Sequence, residues 1–216
     1  MSFYIQLFSV FLSFLAGLTA YFQPRASLSL RVFPLFLFLT IIVEIFGQYL
    51  ADHKRSNIEI FNFFGILEFT FYFWVLQHII RNSVAKKIIF HLVWIFPLFS
   101  FLNVFFIQGT NTFNTITYSL GSLIIVILTV FYFFELFQLP GSIPVLREPA
   151  FWICCGLLIY YSCSFPMFAL VTRLGNNTPR FILNNLGVII DLANILLYSS
   201  FTIAFLCSLR MRKSTS

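Results

Sequence analysis

The sequence predicts an all-α fold, a polytopic membrane bundle of seven transmembrane helices, amino terminus outside and carboxyl terminus inside. Three observations carry this. Only 9% of the 216 residues are charged and 60% are hydrophobic, with a mean hydropathy of +0.94, whereas a soluble globular domain carries about 25% charge. The apolar residues fall into seven runs near the roughly 20 residues that a helix needs to cross a bilayer. None of the runs shows the period-two alternation of a transmembrane barrel strand. A soluble enzyme, a disordered chain and a secreted disulfide scaffold are excluded on the same grounds.

The runs cover 3–22, 32–51, 58–80, 87–108, 113–138, 150–172 and 181–208, and turn-forming residues separate them. The first ends at Gln23-Pro24-Arg25. It has no positive residue ahead of it and is expected to be a retained helix, not a cleaved signal. The polar stretch Ala51-Asp52-His53-Lys54-Arg55-Ser56-Asn57 divides the second run from the third, and Arg81-Asn82-Ser83 the third from the fourth. Gln108-Gly109-Thr110-Asn111 precedes the fifth, a Pro-Gly-Ser-Ile-Pro run from Pro140 precedes the sixth, and Gly175-Asn176-Asn177-Thr178-Pro179 opens the seventh. The whole chain, 1–216, reads as one transmembrane domain with no soluble domain, a seven-residue tail after Leu209 and no internal repeat.

Basic residues set the orientation, because they disfavour translocation. With the amino terminus outside, the inner face holds Arg25, Arg31, Arg81, Lys86, Lys87, Arg147, Arg210, Arg212 and Lys213, and the outer face holds Lys54, Arg55, Arg173 and Arg180. Trp74, Trp94 and Trp152 then fall near inner ends, as interfacial tryptophans should. The net charge of +6 is spread thinly over loop ends, which suits anionic lipid headgroups and gives no nucleic-acid signal.

Apart from Glu59 at the mouth of its run, four of the seven acidic residues, Glu44, Glu68, Glu135 and Asp191, lie inside the runs, and no lysine or arginine lies deep enough to neutralise them. An aspartate at a helix centre costs roughly 2.5–3.5 kcal/mol by insertion scales, so several need an offset. Glu135 sits in the last inner turn of its helix and reads as structural. Glu44, Glu68 and Asp191 share a slab roughly 10–15 Å below the outer surface, counting 1.5 Å per residue. Polar stripes at helical spacing accompany them. Asn184, Gly187, Asp191, Asn194, Tyr198 and Thr202 share one face of the seventh helix, and Thr40, Glu44 and Gln48 one face of the second. Gly65, Glu68 and Tyr72 do so in the third, with Asn111, Asn114, Tyr118, Ser122, Thr129 and Tyr132 in the fifth and Asn103 near the outer end of the fourth. The expected site is a polar, carboxyl-lined pocket in the outer half of the bundle, built from Glu44, Gln48, Glu68, Tyr72, Asn103, Asn114, Asn184, Asp191 and Asn194. The competing reading is hydrogen-bonded glue between helices, which suits the asparagines better than the carboxyls.

No catalytic residue, metal site or cofactor is expected. His53 flanks Asp52 in a loop, and His78 and His91 lie near inner ends, away from the carboxyls. There is no His-Glu-x-x-His pair, no Gly-x-Ser-x-Gly elbow and no phosphate loop. Cys154, Cys155, Cys163 and Cys207 all lie inside runs and read as packing residues. Pro97 and Pro166 should kink their helices, and Ser200, Ala204 and Ser208 form a small-residue face for close packing.

The strings Glu44-Ile45-Phe46-Gly47-Gln48-Tyr49, Glu68-Phe69-Thr70-Phe71-Tyr72 and Thr112-Phe113-Asn114-Thr115, with Phe151-Trp152-Ile153 and Gly156-Leu157-Leu158-Ile159-Tyr160, carry a diffuse likeness over nearly the whole chain. The pattern resembles small bacterial seven-helix integral membrane proteins of uncharacterised function. That resemblance implies the cytoplasmic (inner) membrane and an association with signalling, and transfers no functional residue. The expected function is therefore an integral membrane sensor or accessory module binding a small ligand, cation or proton. It would act in the lipid bilayer through a membrane or inner-face signalling protein. The alternatives are a proton- or cation-coupled transporter and an intramembrane lipid-modifying enzyme.

Overall fold

A computed structural model describes residues 2–23, 27–138, 145–174 and 180–213. Among these, seven helices are long and apolar enough to cross a membrane, and no strand occurs. They are α1 (Ser2–Leu18), α2 (Leu28–Asp52), α3 (Ile58–Ile79), α4 (Ser83–Leu102), α5 (Thr115–Phe137), α6 (Pro149–Leu174) and α7 (Arg180–Lys213). A 3₁₀ turn, Thr19–Phe22, extends α1, and a π-helical turn, Asn103–Gln108, extends α4.

Local chemistry explains where the helices depart from the apolar runs. The second begins at Leu28 instead of 32 because the Ser27 side chain accepts from the Leu30 amide (3.4 Å). The fourth begins at Ser83 instead of 87 because the Asn82 carboxamide accepts from Val84 and Ala85 (2.9 and 3.0 Å). Lys86 and Lys87 therefore belong to the first turns of α4 and not to a loop. Trp94 stands eleven residues past the start of α4, exposed on its apolar side and not at its end. The fifth begins at Thr115 because Asn114 is its cap, accepting from Thr117 (3.4 Å). Helix α2 ends with Lys54 in the left-handed region (φ 56°), Arg55 N–H on the Leu50 carbonyl (2.8 Å) and Lys54 N–H on Ala51 (3.0 Å), the Schellman arrangement. The turn residues 24–26, 140–144 and 175–179 lie outside the described residues.

The helices form a closed circuit. Neighbours in sequence pack together from α1 to α3 and from α5 to α7, α1 closes against α7, and α5 approaches α3, while α4 lies mainly against α3. Helix α3 is therefore central: its side chains also reach α6 through Phe69 and Tyr161 (5.5 Å between ring centroids) and α7 through Tyr72 and Phe201 (6.1 Å). Lipid tails are as apolar as leucine, so these contacts hold by close packing and hydrogen bonding instead of exclusion from water. The core is accordingly aromatic, with Phe33, Phe36, Phe69, Tyr72, Phe73, Tyr161, Phe201 and Phe205 buried. Phe36 stacks on Phe71 (4.1 Å), and Phe33 meets Phe201 edge to face (4.8 Å).

Small residues permit the closest approaches. A Cβ on Gly156 of α6 would lie 2.9 Å from the Ser200 Cβ and 3.2 Å from the Leu197 carbonyl of α7. Ala204 is fully buried on that helix, and Ser208 accepts from the Gln23 carboxamide at the end of α1 (2.9 Å). The small-residue face of the last helix thus packs against α6 and ties to α1. All four cysteines are free.

Candidate functional site

Glu68 lies ten residues along α3, on the side facing α5 and α6. Each of its carboxyl oxygens accepts one phenol: Tyr118 of α5 donates to Oε2 (2.9 Å) and Tyr161 of α6 donates to Oε1 (3.0 Å). The carboxyl group is buried, and both phenol rings pack against the buried Phe69 (4.9 and 5.5 Å). The local sequence makes this possible. Gly65 sits one turn before Glu68, and a Cβ there would lie 2.9 Å from the Tyr118 ring. Its absence lets the edge of that ring come close to α3 while the hydroxyl donates to Glu68.

Glu44 on α2 lies close enough to Glu68 and Asp191 for the charge of each to act on it. Glu68 of α3 and Asp191 of α7 thus lie within electrostatic range of Glu44, with no hydrogen bond among the three. Glu44 and Asp191 are partly buried, and among the described residues neither takes part in a hydrogen bond or ion pair. The one ion pair among those residues is Arg81–Glu148 (3.4 Å), at the other end of the bundle. Tyr72, one turn after Glu68, is fully buried, and its hydroxyl has no hydrogen-bond partner among the described residues. Glu68, Tyr160 and Tyr198 are within electrostatic reach of it. Asn194 is buried on α7, three residues beyond Asp191.

The other candidates are engaged elsewhere. Gln48 donates to Asp52 one turn along its own helix (2.8 Å). Asn103 and Asn114 belong to a separate network that closes the connection between α4 and α5. The two N–H donors of the Asn103 carboxamide are shared among three oxygens within reach, those of Gln108 (2.8 Å), Thr117 (2.9 Å) and Asn114. Asn62 of α3 holds the same turn from the other side, donating to the Thr112 carbonyl (2.8 Å) and accepting from the Asn114 amide (2.9 Å). These amides satisfy turn backbone that would otherwise lie unpaired near the membrane. Asn184 lies on α7, and its side chain is outside the described residues. The hydroxyls of Thr40, Ser122, Thr129 and Thr202 return to the carbonyl one turn back in their own helices (2.7–2.9 Å). Glu135 accepts from the Arg81 and Asn82 amides (3.0 and 2.7 Å), so it closes the turn into α4.

Sequence reasoning misses Tyr161, and it places Tyr118 on a polar stripe without making it part of the site. Tyr161 gives no visible signal beyond its pairing with Tyr160 inside an apolar run, because helical spacing does not show which neighbour a phenol will face. Among the described residues no three His, Cys, Asp or Glu side chains come near enough to hold one metal ion. Chemically, the arrangement offers one fixed carboxyl, two carboxyls without polar partners, and an unpaired buried phenol. No family model, curated protein or solved structure matches the chain.

Proposed function

We propose that this protein is an integral membrane sensor or accessory module that takes up a small ligand, cation or proton at the Glu44–Glu68–Asp191 site and signals through a separate partner protein. The observation that carries this reading is that two intramembrane carboxyls, Glu68 and Asp191, lie within electrostatic range of a third, Glu44, and that Glu44 and Asp191 have no polar partners among the described residues. Ionisable groups at this depth are costly and usually serve a function. Glue between helices would need only amides, as the Asn62–Asn103–Asn114 network demonstrates in the same molecule. The outside-amino orientation extends the reading. Lys54, Arg55 and Arg173 lie at the end of the bundle nearer the site, and Arg31, Arg81, Lys86, Lys87 and Arg147 lie at the opposite end. Under the positive-inside rule these residues then lie in the outer half of a bacterial cytoplasmic membrane. The described residues hold no folded unit beside the bundle, so a bound state would pass to an inner-face signalling protein.

The test is the melting temperature of the purified protein across pH and a panel of cations, beside Asp191→Asn. A response present in the wild type and absent from the variant supports the site. An identical flat response in both overturns it. The same carboxyls favour one second reading, a proton- or cation-coupled transporter, and flux into proteoliposomes that disappears in Asp191→Asn would select it.

A further inference from the structure

Helix α4 packs mainly against α3, and Ile89, Phe96 and Ser100 are buried on that side. The opposite side is uncovered: Val84, Ile88, His91, Ile95, Leu98 and Leu102 are all exposed. These residues recur at alternating steps of four and three. That 3.5-residue spacing is the one by which a helix keeps a single seam turned toward another helix. All but His91 are aliphatic. Lipid tails solvate aliphatic side chains as well as protein does, so those positions alone do not decide what covers the face.

His91 decides it. It stands eight residues past Ser83, roughly 12 Å along the helix at about 1.5 Å per residue. Lys87, one turn nearer the helix end, has a long stem that returns its charge to the headgroups, and an imidazole has no such reach. Among the described residues no hydrogen bond reaches either ring nitrogen of His91, and its ring contact is with the adjacent Phe90 (5.8 Å). The other two histidines differ. His53 and His78 each bond through Nδ1 to the carbonyl one turn back in their own helices (2.8 Å). Trp152 likewise donates its indole N–H to the Leu146 carbonyl (2.9 Å). Trp94, beside the seam and 67% exposed, has no such acceptor among the described residues. A histidine within a span almost always faces protein or water, so the side of α4 that carries His91 calls for a protein neighbour.

The imidazole also indicates which neighbour. In its neutral form it has one donor nitrogen and one acceptor nitrogen, so it is complementary to a second copy of itself. A two-fold axis along the membrane normal sets each seam residue opposite the same residue of the other copy. His91 then meets His91 through one N–H···N bond, and aliphatic residues meet at equal heights above and below it. One polar position in an otherwise apolar seam of this spacing fixes both register and the number of chains.

We infer that the chain forms a two-fold dimer in the membrane through α4, joined by a His91–His91 hydrogen bond within the aliphatic seam from Val84 to Leu102. The inference is independent of the carboxyl site.

The test uses the full chain, labelled at one terminus and reconstituted into phosphatidylcholine–phosphatidylglycerol liposomes. Single-molecule photobleaching counts copies at rising protein-to-lipid ratios for the wild type, His91→Leu, His91→Gln, Ile95→Ala and Phe134→Ala. All these side chains are exposed, so each variant should melt like the wild type in micelles that hold single copies. The expected result is two-step bleaching that grows with protein density. Dimerisation should weaken about 3- to 20-fold in His91→Leu and persist in His91→Gln, which keeps a donor and an acceptor. Ile95→Ala should weaken it through lost packing, whereas Phe134→Ala on α5 should not. Single copies at every density overturn the inference and leave the face to lipid or to a different protein. A dimer indifferent to His91→Leu and Ile95→Ala lies on another face and overturns it as well. Bleaching in three or more steps overturns the two-fold arrangement.

Discussion

At the scale of single residues, Glu68 shows how a carboxyl is kept inside an apolar bundle. One phenol on each oxygen replaces water, and the two come from neighbouring helices, α5 and α6. Removing either donor leaves a buried acceptor unpaired, at about 1–3 kcal/mol. Tyr118→Phe and Tyr161→Phe should each destabilise the bundle by that amount. A double-mutant cycle between Tyr161→Phe and Glu68→Gln should show a coupling of about 0.5–3 kcal/mol, read by reversible unfolding in mixed micelles. Independent effects would mean that the hydrogen bond contributes nothing to the folded state. Gly65 tests the same contact from the backbone. In Gly65→Ala the new methyl would stand 2.9 Å from the Tyr118 ring and displace its hydroxyl from Glu68. A loss of about 1–3 kcal/mol is expected, and it should shrink when Tyr118→Phe is already present.

At the scale of elements, the ends of the helices matter more than their apolar middles. Lys54 adopts a left-handed conformation to close α2, which glycine reaches without the steric cost that a side chain carries. Lys54→Gly should therefore raise stability by about 0.5–1 kcal/mol, measurable as a shift in the unfolding midpoint. Asn62 does the opposite service for the turn between α4 and α5. Asn62→Ala removes a donor from the Thr112 carbonyl and an acceptor from the Asn114 amide. A loss of about 1–3 kcal/mol should follow, with faster hydrogen exchange confined to residues around that turn. Between α6 and α7, Gly156→Ala would drive a methyl into the Ser200 Cβ and the Leu197 carbonyl. Backbone cannot give way as a flexible side chain can, so this replacement should separate the two helices and cost about 1–3 kcal/mol.

At the scale of the whole molecule, the circuit of helices around α3 decides which polar groups meet. The outward surface of the bundle carries large apolar side chains such as Trp94, Ile95, Phe106 and Phe134, while most polar and small residues turn inward. Seven helices among the described residues are long and apolar enough to cross, and an odd number of crossings would put Ser2 and Lys213 on opposite sides of the membrane. Reporter fusions to Ser2 and to the end of α7 should therefore give opposite compartment signals, and equal signals would mean that one of the seven helices does not cross.

Much of this is legible in the order of residues alone. Seven runs of about 20 apolar residues can only become spanning helices, because backbone in lipid must satisfy its own hydrogen bonds. Their limits shift by only a few residues, and at the starts of α2, α4 and α5 the shift is accounted for by the caps Ser27, Asn82 and Asn114. The depth of Glu44, Glu68 and Asp191 is equally visible, since rise per residue converts position into height. Sequence does not assign partners across helices. The Asn103 and Asn114 side chains are polar positions near the ends of their helices and are drawn into their own turn, and Tyr161, which carries no polar signal, holds Glu68. Periodicity gives the face of a helix in isolation. Which face meets which neighbour depends on where glycines such as Gly65 and Gly156 allow close approach, and that is settled only when all the helices pack at once.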